Sequence, residues 1–233
     1  MRKKLTILIP CFNSAGRIMP TLNCLVEAIS GGLIKQVIFA DGGSSDIIED
    51  IADEVGADFV RTPKGRGLQF KIGVIYAKAE WLLFLHDDSI LEDGWDAELN
   101  VFINDEANAR KCAYFRHAFD DKTLAAKIVS FGVYLRCKIF ALPYGDQGLL
   151  ISRELYEEIG GFSSLPLMED VEFIERIKAH IGRKNLIMLN SKLVTSANKY
   201  EAGYIKRILR NFKYLMVYKM GKDPKEIAKT YYK

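Results

Sequence analysis

The chain has 233 residues, 49 % hydrophobic and 27 % charged, a globular composition that excludes a largely disordered chain, a collagen-like fibre or a bare coiled coil. A chain of this length buries roughly three quarters of its unfolded surface, so folding requires no disulfide or metal staple. Its 33 basic and 30 acidic residues leave a net charge of +3, too balanced for wholesale nucleic-acid binding.

The cysteines, Cys11, Cys24, Cys112 and Cys137, form no C-x-x-C pair and fit no zinc spacing, so they read as reduced thiols of a cytoplasmic protein. His86, His117 and His180 are too scattered for a histidine-based metal cage. No apolar run approaches the roughly 18 residues needed to span a bilayer. The basic start followed by LTILIPCF mimics a short signal peptide, but Pro10 and Asn13 break it and no small-residue cleavage site follows. It reads as a first buried strand.

The first ninety residues repeat one pattern. Short β-rich runs, LTILI (5–9), QVIFA (36–40), ADFVR (57–61) and EWLLFLH (80–86), alternate with helical segments near 15–30, 46–55 and 67–79. Alternation of this kind predicts a parallel sheet covered on both faces. Continuous runs such as LLFL suit strands buried on both sides. Further on, 95–107 is helical, 112–119 alternates weakly as a strand, and 122–138 is helical. A strand at 148–151 precedes RELYEEIG, which ends at Gly160-Gly161. A helix follows from about Glu169 to His180. The pattern predicts one α/β unit over 1–200, with a nucleotide-binding half (about 1–90) and an acceptor half (about 91–200), and a basic amphipathic tail over 201–233.

In open parallel sheets, ligands bind at the carboxyl ends of the strands. Here those ends carry Pro10-Cys11-Phe12-Asn13, then Asp41-Gly42-Gly43-Ser44-Ser45-Asp46, then Lys64-Gly65-Arg66-Gly67-Leu68-Gln69, and last His86-Asp87-Asp88-Ser89. All four clusters should meet on one edge. Asp41 can accept hydrogen bonds from a base or ribose, or belong to a plain turn with Asp46 capping the next helix. Gly65-Arg66-Gly67 opens a helix where phosphate is favoured, or is a solvated basic turn; Phe70 replaces the third glycine of a dinucleotide fingerprint. Adjacent Asp87 and Asp88 suit a hard divalent metal, Mg²⁺ or Mn²⁺, that also takes substrate phosphates; two exposed loop aspartates are the alternative. Glu169 and Asp170 either offset a helix dipole or supply a general base.

These clusters, in the order ILIPCFN, FADGGSSD, GRGLQ, FLHDDS and LMEDVEF, resemble family 2 glycosyltransferases of the Rossmann-like glycosyltransferase-A fold over roughly residues 4–182. With PYGDQG and LPLMEDVEF, the set further resembles a bacterial subfamily named for selenium- and radical-SAM-associated gene neighbourhoods. The resemblance implies inverting transfer of a sugar from a UDP- or GDP-linked donor to an acceptor hydroxyl, assisted by a divalent metal. On the matching positions, Pro10, Phe12 and Asn13 would line the base and ribose pocket and Asp41 would bind the base. Gly65, Arg66 and Gln69 would lie at the donor, with Arg66 near the diphosphate. Asp88 would hold the metal and Asp87 would fill the middle position of D-x-D. Asp170 would be the general base, and Asp146 and Gln147 would position donor or acceptor. Two departures stand out: His86 replaces the first aspartate of D-x-D, and Phe70-Lys71 replaces a small or amide-bearing pair.

From Lys192 onward, eleven Lys/Arg face three Asp/Glu. Residues 204–220 have helical spacing, with Ile205, Ile208, Leu209, Phe212, Leu215 and Met216 on one stripe. Such a helix can lie on an anionic membrane surface, at the inner face of the membrane, or pack its stripe on the core. A lipid-linked acceptor would suit the first arrangement. Rival readings are a nucleotide-sugar binding module without turnover and a nucleotidyltransferase. The second lacks the glycine-rich basic loop after strand one; a nucleic-acid binder, suggested by the tail alone, ranks last.

Overall fold

The computed structural model describes residues 4–121, 123–195 and 204–231. The strands are β1 (Leu5–Cys11), β2 (Ile34–Asp41), β3 (Asp58–Arg61), β4 (Trp81–Phe84), β5 (Ile90–Leu91), β6 (Cys112–Phe119), β7 (Leu149–Ser152) and β8 (Leu186–Thr195). Between them run α1 (Met19–Asn23), α2 (Val26–Ser30), α3 (Ile48–Glu54), α4 (Arg66–Ile75), α5 (Trp95–Asn104), α6 (Leu124–Phe140), α7 (Arg153–Ile159) and α8 (Glu169–Ile181). Helices α9 (Tyr204–Lys219) and α10 (Pro224–Tyr231) follow.

All eight strands form one sheet in the order β3-β2-β1-β4-β7-β6-β8-β5. The pairs β1–β2, β1–β4, β2–β3 and β6–β8 are parallel, whereas β7 runs against both β4 and β6. Two reversals cancel, so β6 and β8 run with β4. The carboxyl ends of six strands therefore reach the same edge. A 3₁₀ turn, Gly145–Gln147, delivers β7 to that edge from outside.

β1 is buried along its whole length, because it lies between two parallel partners under helices on both faces. Side chains alternate across a strand. Leu5, Ile7, Ile9 and Cys11 therefore enter one core with Leu22, Leu25 and Ile48. Leu8 enters the other with Phe70, Val74, Leu155 and Ile174. Helix α4 comes close to the sheet because Gly73 has no side chain; a Cβ there would lie 3.1 Å from Leu8 Cδ2. This is the mostly parallel sheet with helices on both faces that the alternating pattern predicts and that the resemblance to the glycosyltransferase-A fold implies.

The departures have local causes. The helix expected over 15–30 is two short helices; Trp95 Nε1 donates to the carbonyl of Cys24 at the break. β5 and β8 were not expected. β8 reads LIMLNSKLVT, without clean alternation, and its register against β6 shifts between Tyr114 and Arg116. Its polar centre is held from outside the sheet, where the amides of Asn190 and Ser191 donate to the Glu98 carboxylate at 2.8 and 2.9 Å. The expected tail boundary near 200–201, and the side chains of Ile205 and Ile208, lie outside the described residues.

Candidate active site

The first two strand-end loops are stitched together by side chains. Asn13, at φ 49°, accepts from Ser45 N at 2.9 Å through Oδ1, and its own amide donates to Ser44 Oγ at 2.8 Å. Asp46 accepts from Ala15 N at 2.8 Å and from Ile48 N at 3.4 Å, the second as a weak cap for α3. Asp41 is 4 % exposed; its carboxylate accepts from the amides of Gly43 and Ser44 and from Ser44 Oγ. The turn reading accounts for most of its hydrogen-bonding capacity. Pro10 lies within β1, its backbone in register with Ala40, and belongs to the floor of the edge rather than its rim. Phe12 is partly buried, and Lys64 Nζ sits 3.5 Å from its ring centroid, joining the first and third clusters.

Gln69 spends its side chain on the protein's own backbone. It is 4 % exposed; Nε2 donates to the carbonyls of Cys11 (2.9 Å) and Ala40 (2.7 Å), and Oε1 accepts from Gly65 N (3.3 Å). It ties the ends of β1 and β2 to the start of α4. Gly65, at φ 143°, makes the turn into that helix. Gln147 is the same device in the other half. At 1 % exposed, it donates to the Phe115 carbonyl at 3.1 Å and accepts from Arg136 Nη2 at 2.9 Å. In both cases a buried amide satisfies backbone groups where strands end.

Asp87 and Asp88 diverge. Asp87 accepts from Ser14 Oγ and from Arg17 Nε and Nη2, the latter two at 2.9 and 2.5 Å. The hydrogen bond to Asp87 raises the Arg17 guanidinium further above its ordinary value. Arg17 and Ser14 were missed because their partner lies about seventy residues away. Ser14 and Arg17 thus share one oxygen of Asp87, Oδ2. Among the described residues, no three His, Cys, Asp or Glu side chains converge as a ready metal cage. The donor chemistry still fits a hard divalent cation at Asp88, because such ions use one or two carboxylates and complete their shell with phosphate and water.

His86 and Asp170 come together from opposite ends of the sequence. Arg66 Nη1 lies 3.4 Å from His86 Nε2, and Arg66 Nε donates to Glu169 Oε1 at 2.6 Å. Gly145 N donates to Asp170 Oδ2 at 2.8 Å. A Cβ at Gly145 would lie 3.0 Å from His86 Nε2 and 3.3 Å from Asp170 Oδ2, so this glycine marks the contact of all three elements. Gly67 does the same for α4 and α8, because a Cβ there would lie 3.0 Å from Glu169 Cβ and would collide with the Ser163 carbonyl. Met168 precedes Glu169 at φ 65°, a costly conformation for a side chain of this size. Burial pushes the Glu169 carboxyl up, against the pull of Arg66. The acidic pair was visible in the sequence; its division into a buried ion-paired Glu169 and a cleft-facing Asp170 was not.

The cleft at Asp170 is small and apolar-walled, with about 20 Å³ of free space among Phe70, Phe84, His86, Tyr144 and Phe162. Across the 145–147 turn lies a larger cavity of about 480 Å³, lined by Arg116, His117, Lys127, Tyr134, Gln147 and Lys192 among others. Asp146 stands between them. Its Oδ1 and His117 Nδ1 are buried without a hydrogen-bond partner among the described residues. Burial lowers the His117 value, while Asp146 opposes the shift.

The loop-stitched floor, the Asp170 cleft and the neighbouring cavity share one strand-end edge of the sheet. The model of the family described as Glycosyl transferase family 2 matches residues 6–159, and the chain belongs to that family. The chain is similar in structure to glucosyl-3-phosphoglycerate synthase from Mycobacterium tuberculosis in complex with Mn²⁺ and UDP-glucose. The TM-score is 0.63 at 15 % identity, covering 82 % of this chain and 70 % of that one. The same enzyme with Mn²⁺, UDP and glucosyl-3-phosphoglycerate gives a TM-score of 0.60 at 15 % identity, over 82 % and 70 % of the two chains. At that identity the likeness speaks to fold. No curated protein matches the chain.

Proposed function

We propose that the chain is an inverting glycosyltransferase that moves a hexose from a nucleotide-diphosphate sugar, UDP- or GDP-linked, to an acceptor hydroxyl, with Asp170 as general base. The observation that carries this reading is the meeting of Asp170, His86 and Arg66 at the edge where Asp88 and the stitched β1–β2 loops also end. Asp170 takes the acceptor proton, the hydroxyl oxygen attacks the anomeric carbon, and the bond from that carbon to the diphosphate breaks with its electron pair. Arg66 and Lys64 stand on the leaving-group side. Asp88 would hold a divalent cation, Mn²⁺ or Mg²⁺, which would supply positive charge beside the diphosphate. Pro10, Phe12, Asn13 and Asp41 form the base and ribose side, with Gln69 supporting them from beneath. The 480 Å³ cavity beyond Asp146 receives the acceptor. Solved complexes of the structurally similar synthase contain Mn²⁺, UDP-glucose and phosphoglyceric acid, which supports donor, metal and acceptor sites on this fold. The ordered motifs support the finer subfamily assignment.

One observation favours a binding module without turnover: Arg17 pairs with Oδ2 of Asp87 and competes there with a cation. A thermal-shift panel of UDP, GDP, CDP and dTDP, with and without Mn²⁺, tests the donor site. One nucleotide should raise the melting temperature only with metal, by the equivalent of about 2.7 kcal/mol at roughly 100 times its dissociation constant. No shift with any of them overturns the donor site.

A further inference from the structure

Helix α6 presents its apolar side to solvent. Leu124, Ile128, Phe131, Leu135 and Ile139 are 39–73 % exposed, whereas Ala126 and Cys137 are buried. At about 100° per residue, the exposed side chains form a narrow stripe on the side of the helix opposite those buried two. Helix α9, which touches α6, is built the same way. Leu215 and Tyr218 pack on the core, while Leu209, Phe212, Met216 and the following Met220 are exposed. The tail stripe thus divides: part of it packs, and part remains open.

The charge on this face has one sign. Helix α6 carries Lys127, Arg136 and Lys138, and α9 carries Lys206, Arg207, Arg210, Lys213 and Lys219; neither helix contains an Asp or Glu. Arg136 turns inward to Gln147, and Lys219 pairs with Glu175. Lys127, Lys138, Arg210 and Lys213 are exposed. A second copy seated symmetrically on this face would bring like charges together. Apolar stripes bordered by lysine and arginine match the interface of an anionic bilayer, where apolar side chains enter the acyl boundary and long cationic ones reach the headgroups. Among the described residues, no helix is long and apolar enough to cross a membrane, so contact would be with the surface.

We infer that α6 and α9 together form a docking face for an anionic lipid surface. Helix α6 makes this more than a property of the tail, because Lys127 and Phe131 also line the 480 Å³ cavity. Docking brings that cavity to the lipid surface, where an amphiphilic acceptor would present its hydroxyl.

The test is sedimentation of the full chain with vesicles of phosphatidylcholine alone or with about 30 mol % phosphatidylglycerol. The chain should sediment with the anionic vesicles and be released by high salt. Ile128→Glu/Leu135→Glu on α6 and Phe212→Glu/Met216→Glu on α9 should each weaken binding by at least about 20-fold, at about fivefold per unfavourable charge. These exposed positions lie outside the donor site, so a nucleotide-induced thermal shift should survive, which separates failure here from failure of the donor reading. Equal sedimentation with neutral and anionic vesicles overturns the inference, as does its absence with both. A dimer by light scattering that the same variants convert to monomer also overturns it, by showing that a second copy covers the face.

Discussion

The two ends of the sheet solve the same problem with different chemistry. At β1–β4, parallel strands buried on both faces deliver short loops, and Asn13, Asp41, Asp46 and Gln69 lock those loops with their own side chains. The result is a floor fixed before any ligand arrives. At β6–β8, β7 runs against its neighbours, and the edge is closed by contacts of Gln147 to Phe115, Asp170 to Gly145, and Arg66 to Glu169. Both regions are closed by residues distant in sequence; the first joins the ends of parallel strands, and the second brings α4, α8 and the 145–147 turn onto a strand of opposite direction. Under the proposed function, the first would set donor geometry and the second acceptor geometry.

The largest expected effect comes from breaking the second region alone. Asp170→Asn should lower the transfer rate by about 10²–10⁴-fold, the usual contribution of a general base, while the nucleotide-induced thermal shift persists. A single-turnover assay with labelled donor checks this, and a fully active variant would sink the mechanism.

The two buried amides give a matched pair. Gln69→Ala and Gln147→Ala should each cost about 2–3 kcal/mol through lost buried hydrogen bonds and a small void. By calorimetry this corresponds to a fall of about 4–12 °C in melting temperature. They should differ in function: Gln69→Ala should also weaken nucleotide binding, whereas Gln147→Ala should spare it. If both variants weaken nucleotide binding alike, the division between the two ends of the sheet is wrong.

The smallest effect lies away from the site. The Glu158 carboxyl is held down at about 2, first by hydrogen bonding from Arg110 and then from His180. A depressed carboxylate stabilises the fold above its unfolded value, and that contribution is lost as pH falls through the folded one. Glu158→Gln should therefore lower the melting temperature slightly at neutral pH, by no more than about 2 °C for an exposed pair. The gap from the parent should close as pH falls from about 4.5 toward 2. A gap that widens with acid would reverse the sign of the argument.

The sequence by itself determined the front of the molecule. Unbroken apolar runs become parallel central strands because both their faces are covered. Glycine, asparagine and aspartate at their ends announce the loops, since those residues tolerate tight turns and cap backbone amides. Asp170 and Asp88 were therefore legible as candidates. Tertiary structure alone decided which polar residues are spent internally. Asp87 gives one oxygen to Ser14 and Arg17 of the first loop, and Gln69 and Gln147 give their amides to strand-end carbonyls. β8 was illegible because a register shift and the Glu98 clasp replace the alternation that marks a strand. The outward stripe on α6 was illegible for a related reason. A helical period tells which side chains share a face, but only the packed fold tells whether that face meets the core or the solvent.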